Sequence, residues 1–478
     1  MNNITKKNIN DFWTLEKELS LFERSYNGFF YWQHIRFFVC ESLFGNRTEN
    51  LKEEIKGRNR SFISYIIEIC RAIQESIKEY FCFVFMKKKD VIFLRHDTGS
   101  DIFYDNWEMP DDISVVNYRL APYSKEHKKN DHFLEWPRIK TRIMQKLKNK
   151  LNLYKKDDDE KIFLRKLEKK LNDLYGQCMT ADEMEICIND SKLEDKYYYK
   201  SYEKLFKKTG CKALALACYY SNCLFPAYRI AKEKKIAVVE FQHGVINNHE
   251  EYWFEDDRGV NNYTPDYLLT FGEIHNEWIK LVKGKKATAV GFPFQEKKIM
   301  ELKDVLPDDK EIIIYPESDP RFEKVINEFA NEIVKYGYKV TMKLHPLQIS
   351  NVPLYYPCLV KNKNINIVTS QKEGIYYWLK KAKHHIMAST TVGLEAVAFD
   401  HSNVCIATNI PHDQLVCLLE WGIARGFETA DELIKLILNP IDMESKVATE
   451  VRERLWKKNA SANMAVFFRK LKDGNWKI

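Results

Sequence analysis

Val340-Thr341-Met342-Lys343-Leu344-His345-Pro346 and, further on, His385-Ile386-Met387-Ala388-Ser389-Thr390-Thr391-Val392-Gly393-Leu394-Glu395-Ala396 are the two stretches whose reading decides the fold. In each, a short apolar run stops abruptly at a polar turn, the pattern of a buried parallel strand whose carboxyl end feeds a helix. Proline ends the first strand and leaves Lys343 and His345 at the sheet edge. The Ser389 to Thr391 hydroxyls are placed to cap the next helix.

Working outward, similar apolar runs occur at 91–94, 213–217, 236–241, 267–271, 311–315, 338–342, 365–368, 384–388 and 403–407, with amphipathic stretches such as 321–336 and 372–382 between them. Such alternation predicts parallel sheets with right-handed crossovers. A chain of 478 residues, 45% hydrophobic, also exceeds what one core fills. The expectation is an α/β protein of two Rossmann-like domains facing a cleft: 1–300 on the acceptor side, 301–440 for the nucleotide, and 441–478 as a helix crossing back. Pro307-Asp308-Asp309 is the candidate hinge. Residues 1–90 and 138–175 are helical additions. In the first, Ile63, Ile66, Ile67, Cys70, Ile73, Ile77 and Phe81 recur at helical spacing. In the second, Ile139, Ile143, Leu147 and Leu151 lie among Arg138, Lys140, Arg142, Lys146, Lys148 and Lys150. Two readings stand for it: a charged hairpin covering the sheet, or peripheral contact with anionic lipid through 138–156.

Composition narrows the function. Lys and Arg number 75 against 68 acids, a formal +7 spread along the chain, which demands no nucleic acid and suits anionic ligands. The eleven cysteines form no Cys-x-x-Cys pair and several sit in apolar runs, so reduced, buried thiols are expected. The first twenty residues contain no signal-peptide core, and no run of about twenty apolar residues occurs, which points to the cytoplasm or the inner face of its membrane. No His-Glu-x-x-His, paired-cysteine zinc set, Gly-x-Ser-x-Gly elbow or Walker loop is found, so neither metal nor cofactor is expected. His384 and His385 alternate across a strand and cannot chelate together.

Ligands of open α/β sheets bind beyond the strands' carboxyl ends, so the polar residues there are the candidates. Lys343, His345 and the Ser389-Thr390-Thr391 helix start form a prospective phosphate clamp. Glu395, one turn on, is placed either for ribose hydroxyls or merely as an acid near a helix start. Gln242 and His243, before Gly244, either project into the cleft or serve as core and turn residues. Asp97, in the polar loop 95–101, is a candidate general base for an acceptor hydroxyl.

Together the Lys343-x-His345-Pro346 element, the Ser389 to Ala396 helix start and the Gln242-His243-Gly244 turn resemble the GT-B glycosyltransferases that build bacterial capsules, lipopolysaccharide O-antigens and teichoic acids. The closest look is to those with a His-Pro motif: polysialyltransferases, capsule Kdo transferases and polyolphosphate transferases. The resemblance covers residues 236–400. It implies a GT-B fold, a nucleotide-sugar donor carrying a cytidine nucleotide, no metal ion, His345 and Ser389 to Thr391 at the donor phosphate, Glu395 at the ribose and His243 near the leaving group or acceptor. It adds Glu317 and Ser318, after the first strand of the second half, as donor contacts. The acid pair that polysialyltransferases place before a glycine is matched only by Glu255-Asp256-Asp257-Arg258-Gly259, with an arginine intruding. The implied reaction is transfer of a sugar, CMP-linked, to an oligosaccharide or lipid-linked glycan of a capsule or O-antigen. The alternatives are a CDP-polyol phosphotransferase, a sugar-nucleotide 2-epimerase and a non-catalytic scaffold of capsule assembly.

Overall fold

The computed structural model describes residues 6–44, 83–95, 109–120, 132–217, 221–242, 263–279, 284–410 and 415–474, apart from isolated positions, together with residues 70, 73, 77, 80 and 81. A short antiparallel hairpin, β1 (Ser25–Tyr26) and β2 (Phe29–Phe30), precedes two wholly parallel sheets. The first comprises β3 (Val91–Arg95), β4 (Val115–Arg119), β5 (His132–Phe133), β6 (Ala213–Ala217), β7 (Ala237–Phe241), β8 (Tyr267–Thr270) and β9 (Lys286–Ala289), in the order β5-β4-β3-β6-β7-β8-β9. The second comprises β10 (Asp308–Ile314), β11 (Lys339–Lys343), β12 (Ile365–Val368), β13 (Ala382–Met387), β14 (Asn403–Ala407) and β15 (Arg425–Phe427), in the order β12-β11-β10-β13-β14-β15. Each is doubly wound, its order reversing once, so the chain is an α/β protein of two Rossmann-like halves, the GT-B class.

Burial explains why the strands read clearly. Every residue of β3, β6, β7 and β14 is buried, because helices cover both faces. In Ala213-Leu-Ala-Leu-Ala the leucines face Tyr202, Leu205 and Phe206 of the helix Ala181–Thr209. The alanines face the other way, making room for Phe93, Phe241 and Phe468. Strands β4, β5, β9 and β15 went unread, because they are short or mix polar with apolar residues at the sheet margins.

The helical additions depart from expectation. Helices Lys6–Glu18 and Trp32–Phe44 join the hairpin and helix Asp158–Tyr175 around a core of Phe12, Trp32, Ile35, Leu164, Leu167 and Leu171. Buried Glu16 ties this core together, accepting from Trp32 Nε1 at 2.7 Å and Arg36 Nε at 2.6 Å. The leucines of 158–175 therefore serve a separate module and do not cover the sheet. Helix Glu135–Leu151 instead packs along Ala181–Thr209.

The single helix expected within 441–478 is also corrected: Lys446–Leu455 and Ala460–Asp473 are separate, broken at Trp456 to Asn459, where Asn459 adopts a left-handed φ of 64°. Met464, Phe468 and Leu471 of the second piece pack onto the first sheet. The break needs close backbone approach. A Cβ on Gly272 would lie 2.2 Å from the Arg454 carbonyl oxygen, and one on Gly291 2.3 Å from that of Lys457. Gly272→Ala should therefore lower stability by about 1–3 kcal/mol in urea unfolding, and an unchanged midpoint would show that the returning segment does not pack there.

Candidate functional site

In the second sheet the order reverses between β10 and β13, and loops leaving neighbouring strands in opposite directions open a crevice beyond their carboxyl ends. The strands end level, with Ile314 opposite Ile386 and Tyr315 N bonded to the Ile386 carbonyl at 2.9 Å. The loop after β10 brings Glu317 to the loop after β13, and Ser389 Oγ donates to Glu317 Oε2 at 2.5 Å. Ser318 is exposed beside them, as is Thr391, while Thr390 is half-buried.

His345 follows β11, on the other side of β10, so it stands two strand spacings from Ser389, roughly 10 Å. Its imidazole is exposed, and Pro346 starts a 3-10 turn, Pro346–Asn351, in which Gln348 N donates to the His345 carbonyl at 2.9 Å. The expected clamp is thus one rim of one sheet, with Glu317 between its arms.

Two parts of that clamp differ from the sequence reading. The Lys343 side chain is buried, 5% exposed, and Nζ donates to the Ser370 carbonyl at 3.1 Å, so it braces the neighbouring loop instead of standing free at the rim. Burial lowers its pKa, opposed by the charge of Glu373. The helix after Ser389 is a five-residue turn, Val392–Ala396, with no side-chain cap bond at Thr391. Gly393 N and Leu394 N already donate to the Thr390 and Thr391 carbonyls, at 3.1 and 3.0 Å, so these N–H groups are not open to an anion.

Glu395 gains weight from the structure. Its residue is partly exposed, but Oε2 is fully buried and has no hydrogen-bond partner among the described residues. Burial pushes the carboxyl up to about 7, while the nearby Tyr376 hydroxyl draws it down. That hydroxyl is itself buried without a partner in ordinary geometry, so the two groups face each other without a formed bond. Tyr315, directly after β10, is pushed up by burial and by the charge of Glu395. Its hydroxyl meets His385 Nδ1 at 3.4 Å. His384 turns to Tyr338 and Asn403 on the opposite face, so the two histidines are separate core residues. Among the described residues no group of three potential ligands is placed to hold a metal.

The carboxyl rims of the two sheets meet. Phe271 and Phe292, just past β8 and β9, share one apolar cluster with Tyr315, Tyr376 and Leu394 from the second rim and with Trp456 from the returning segment. Trp456 stacks on Phe271 at 5.3 Å and donates Nε1 to the Leu394 carbonyl at 3.0 Å. Gln242 belongs to this seam and does not project into an open cleft: it is 1% exposed, and its Oε1 accepts from Phe271 N at 2.8 Å. Trp456 and Tyr376 carry no mark in the sequence, because no local pattern identifies an aromatic that acts across two domains. Asp97, His243 and Glu255 to Gly259 lie outside the described residues.

No family model and no curated protein matches the chain. Among solved structures it is similar to a UDP-GlcNAc 2-epimerase from Methanocaldococcus jannaschii, at 16% identity and TM-score 0.48, over 81% of this chain and 100% of that one. A UDP-GlcNAc 2-epimerase from Neisseria meningitidis bound to UDP-GlcNAc aligns at 12% identity and TM-score 0.48, again over 81% and 100%. A UGT transferase from Siraitia grosvenorii in complex with UDP aligns at 11% and TM-score 0.43, over 80% and 100%.

The Glu395 carboxyl has a pH consequence. Between its ordinary 4.5 and about 7 the folded protein holds a proton that the unfolded chain has released, so stability falls as pH rises through that window. Glu194, also pushed to about 7 by burial, acts in the same direction. Buried His34, His384 and His385, held below their ordinary value by desolvation, act in the opposite direction, so the carboxyl is read as a difference: from pH 5 to 7 the melting temperature of the parent should decline relative to that of Glu395→Gln. An unaltered slope in the variant would show that this carboxyl does not titrate as described.

Proposed function

We propose that the chain is a glycosyltransferase that takes a sugar from a nucleotide-activated, CMP-linked donor and adds it to a bacterial surface glycan, either an oligosaccharide or a lipid-linked acceptor. The observation that carries this reading is the buried, unpartnered Glu395 oxygen at the switch point of the second sheet. A carboxylate desolvated there lacks the hydroxyl donors that a ribose diol supplies. Glu317 and Ser389, joined across the crevice, are placed for the same donor, with Ser318, Thr390 and Thr391 beside them. His345, about two strands away, is assigned to the donor phosphate, with Lys343 and Pro346 holding the rim that presents it.

In the transfer the acceptor hydroxyl oxygen bonds to the anomeric carbon, the bond from that carbon to the donor phosphate oxygen breaks, and the nucleotide leaves with the electron pair. Charge then accumulates on the phosphate, and an imidazole N–H of His345 donates to it. The acceptor proton is assigned to Asp97 or His243, each directly beyond a strand of the first sheet in sequence.

A thermal-shift panel of CMP, CDP, UDP and GDP tests the donor site, since saturation at 100 times Kd stabilises by about 2.7 kcal/mol. The expected outcome is the largest shift with a cytidine nucleotide. Glu395→Gln and His345→Ala should each weaken binding by roughly tenfold, the loss of one charge-assisted hydrogen bond, and no response to any nucleotide would overturn the reading. Incubation with CMP-sugars and oligosaccharides should release nucleotide in proportion to acceptor elongation. Interconversion of the sugar nucleotide without release would identify a 2-epimerase, and transfer of polyol phosphate from a CDP donor would identify a phosphotransferase.

A further inference from the structure

Three buried polar atoms without partners come together at the seam between the halves. Gln295 lies on helix Pro293–Glu301, which follows β9 in the first half. It is 3% exposed, and its Nε2 has no hydrogen-bond partner among the described residues. Tyr376, on helix Ile375–Lys381 before β13, is likewise 3% exposed with an unpartnered hydroxyl, and Glu395, on the turn Val392–Ala396 after β13, brings its unpartnered Oε2. The two helices pack on each other, and the ring of Phe294, next to Gln295, stands edge-on to that of Tyr376 at 5.5 Å. Tyr376 also shares its apolar cluster with Leu394, the neighbour of Glu395. The phenol feels both groups: burial, then the charge and hydrogen bonding of Glu395, raise its pKa, while the Gln295 amide lowers it.

An unmade bond at a buried polar atom is costly. With the carboxyl ionised, these three complete one another in a single direction, because an amide N–H only donates, a phenol accepts and donates, and a carboxylate only accepts. The chain runs from Gln295 Nε2 to the Tyr376 oxygen, and from the Tyr376 hydroxyl to Glu395. Its last bond is charge-assisted, so it is strongest once the carboxyl has lost its proton. Burial pushes that carboxyl up to about 7, so without ligand much of it is protonated near neutrality, in keeping with the unmade bonds. A carboxylate accepts at two oxygens with about four lone pairs, so Tyr376 leaves room for a ribose diol. The other titratable group set against Glu395 is Tyr315 beyond β10, with His385 of β13 behind it, and both stay neutral between pH 5 and 9.

We infer that Gln295, Tyr376 and Glu395 form a hydrogen-bonded chain across the seam, in which Tyr376 is a positioning residue that holds the Glu395 carboxylate ionised and aimed at the donor ribose. Nucleotide affinity then depends on Gln295, a residue of the first half buried away from the nucleotide. The link to ribose rests on the proposed donor site, whereas the chain itself does not. Helix Pro293–Glu301 is fastened to the returning segment, where Glu296 accepts from Ala460 N at 3.0 Å. Parting of the halves would withdraw Gln295 from the tyrosine, and the carboxylate would lose that support. A Tyr376 that only filled the core would, on removal of its hydroxyl, lower stability at every pH alike.

The test has a ligand-free arm and a nucleotide arm. In the first, melting temperature is followed across pH for the parent, Tyr376→Phe and Gln295→Met, each beside the same protein carrying Glu395→Gln. Both substitutions keep the size of the side chain, and a cooperative melt shows that each variant is folded. The difference within a pair reports the carboxyl alone and declines up to its folded-state pKa, about 7 in the parent. Without the tyrosine donor the decline should extend upward by about one pH unit, the effect of one charge-assisted hydrogen bond, and in Gln295→Met by a smaller interval. In the second arm CMP is titrated under neutral and alkaline conditions. Tyr376→Phe should weaken binding roughly fivefold at neutral pH and less than about twofold two units higher, where the carboxyl is ionised in both proteins. Equal intervals in the three ligand-free pairs overturn the chain. A shifted interval with unchanged CMP affinity at neutral pH overturns its coupling to the donor. No response of the parent to CMP overturns the proposed donor site instead, and the ligand-free pairs still decide the chain.

Discussion

Trp456 is the side chain on which the arrangement of the two halves turns. Its ring stacks on Phe271 and Phe292 beyond the first sheet, and its single N–H reaches the Leu394 carbonyl beyond the second. A buried indole brings a large apolar area and one obligatory donor, so its placement fixes distance and direction together. The surrounding contacts are of the same kind: Lys457 N donates to the Phe271 carbonyl, Ala460 N to Glu296, and Asn463 Nδ2 to the Val290 carbonyl. Gly272 and Gly291 lack a Cβ where the returning backbone passes, and that close passage is what lets the indole reach the seam.

The chemistry of the crevice depends on this seam. Leu394, held by Trp456, precedes Glu395, and Tyr376, which lies against that carboxylate, packs edge-on to Phe294 at 5.5 Å. The same closure that joins the halves therefore dries the carboxyl and raises its pKa. An acid left unsatisfied inside a folded protein is costly, and a hydroxyl-rich ligand is a physically reasonable partner for it. Glu317 and Ser389 satisfy each other in the absence of ligand, and in the proposed reading they exchange that bond for bonds to the donor.

The N-terminal additions pack in two ways. Helices 6–18, 32–44 and 158–175 close a core of their own, fastened by Glu16 and by Glu160, which accepts from Arg24 Nε at 2.7 Å and Nη2 at 2.6 Å. Helix 135–151 buries Ile139 on one side and leaves Trp136, Ile143, Leu147 and Leu151 exposed on the other.

The sequence by itself determined the parallel sheets and the polar residues at their ends. A strand buried on both faces must be apolar along its length, and its end is marked where polarity returns, as at Lys343, Ser389 and Glu317. The margins were less legible, since β5 and β9 have fewer buried neighbours and so less pressure on composition. Only the tertiary structure decided that β10 and β13 are adjacent, bringing Glu317 to Ser389 across 72 positions of sequence. It also decided that Lys343 bonds a loop carbonyl, that the Val392–Ala396 helix is too short and too fully bonded to hold an anion, and that Ile139 is buried while Trp136 is exposed. The physical reason is common to all of these: periodicity reports whether a residue faces apolar or polar surroundings, whereas the identity of its partner is set by crossovers and by a returning segment that local sequence does not encode.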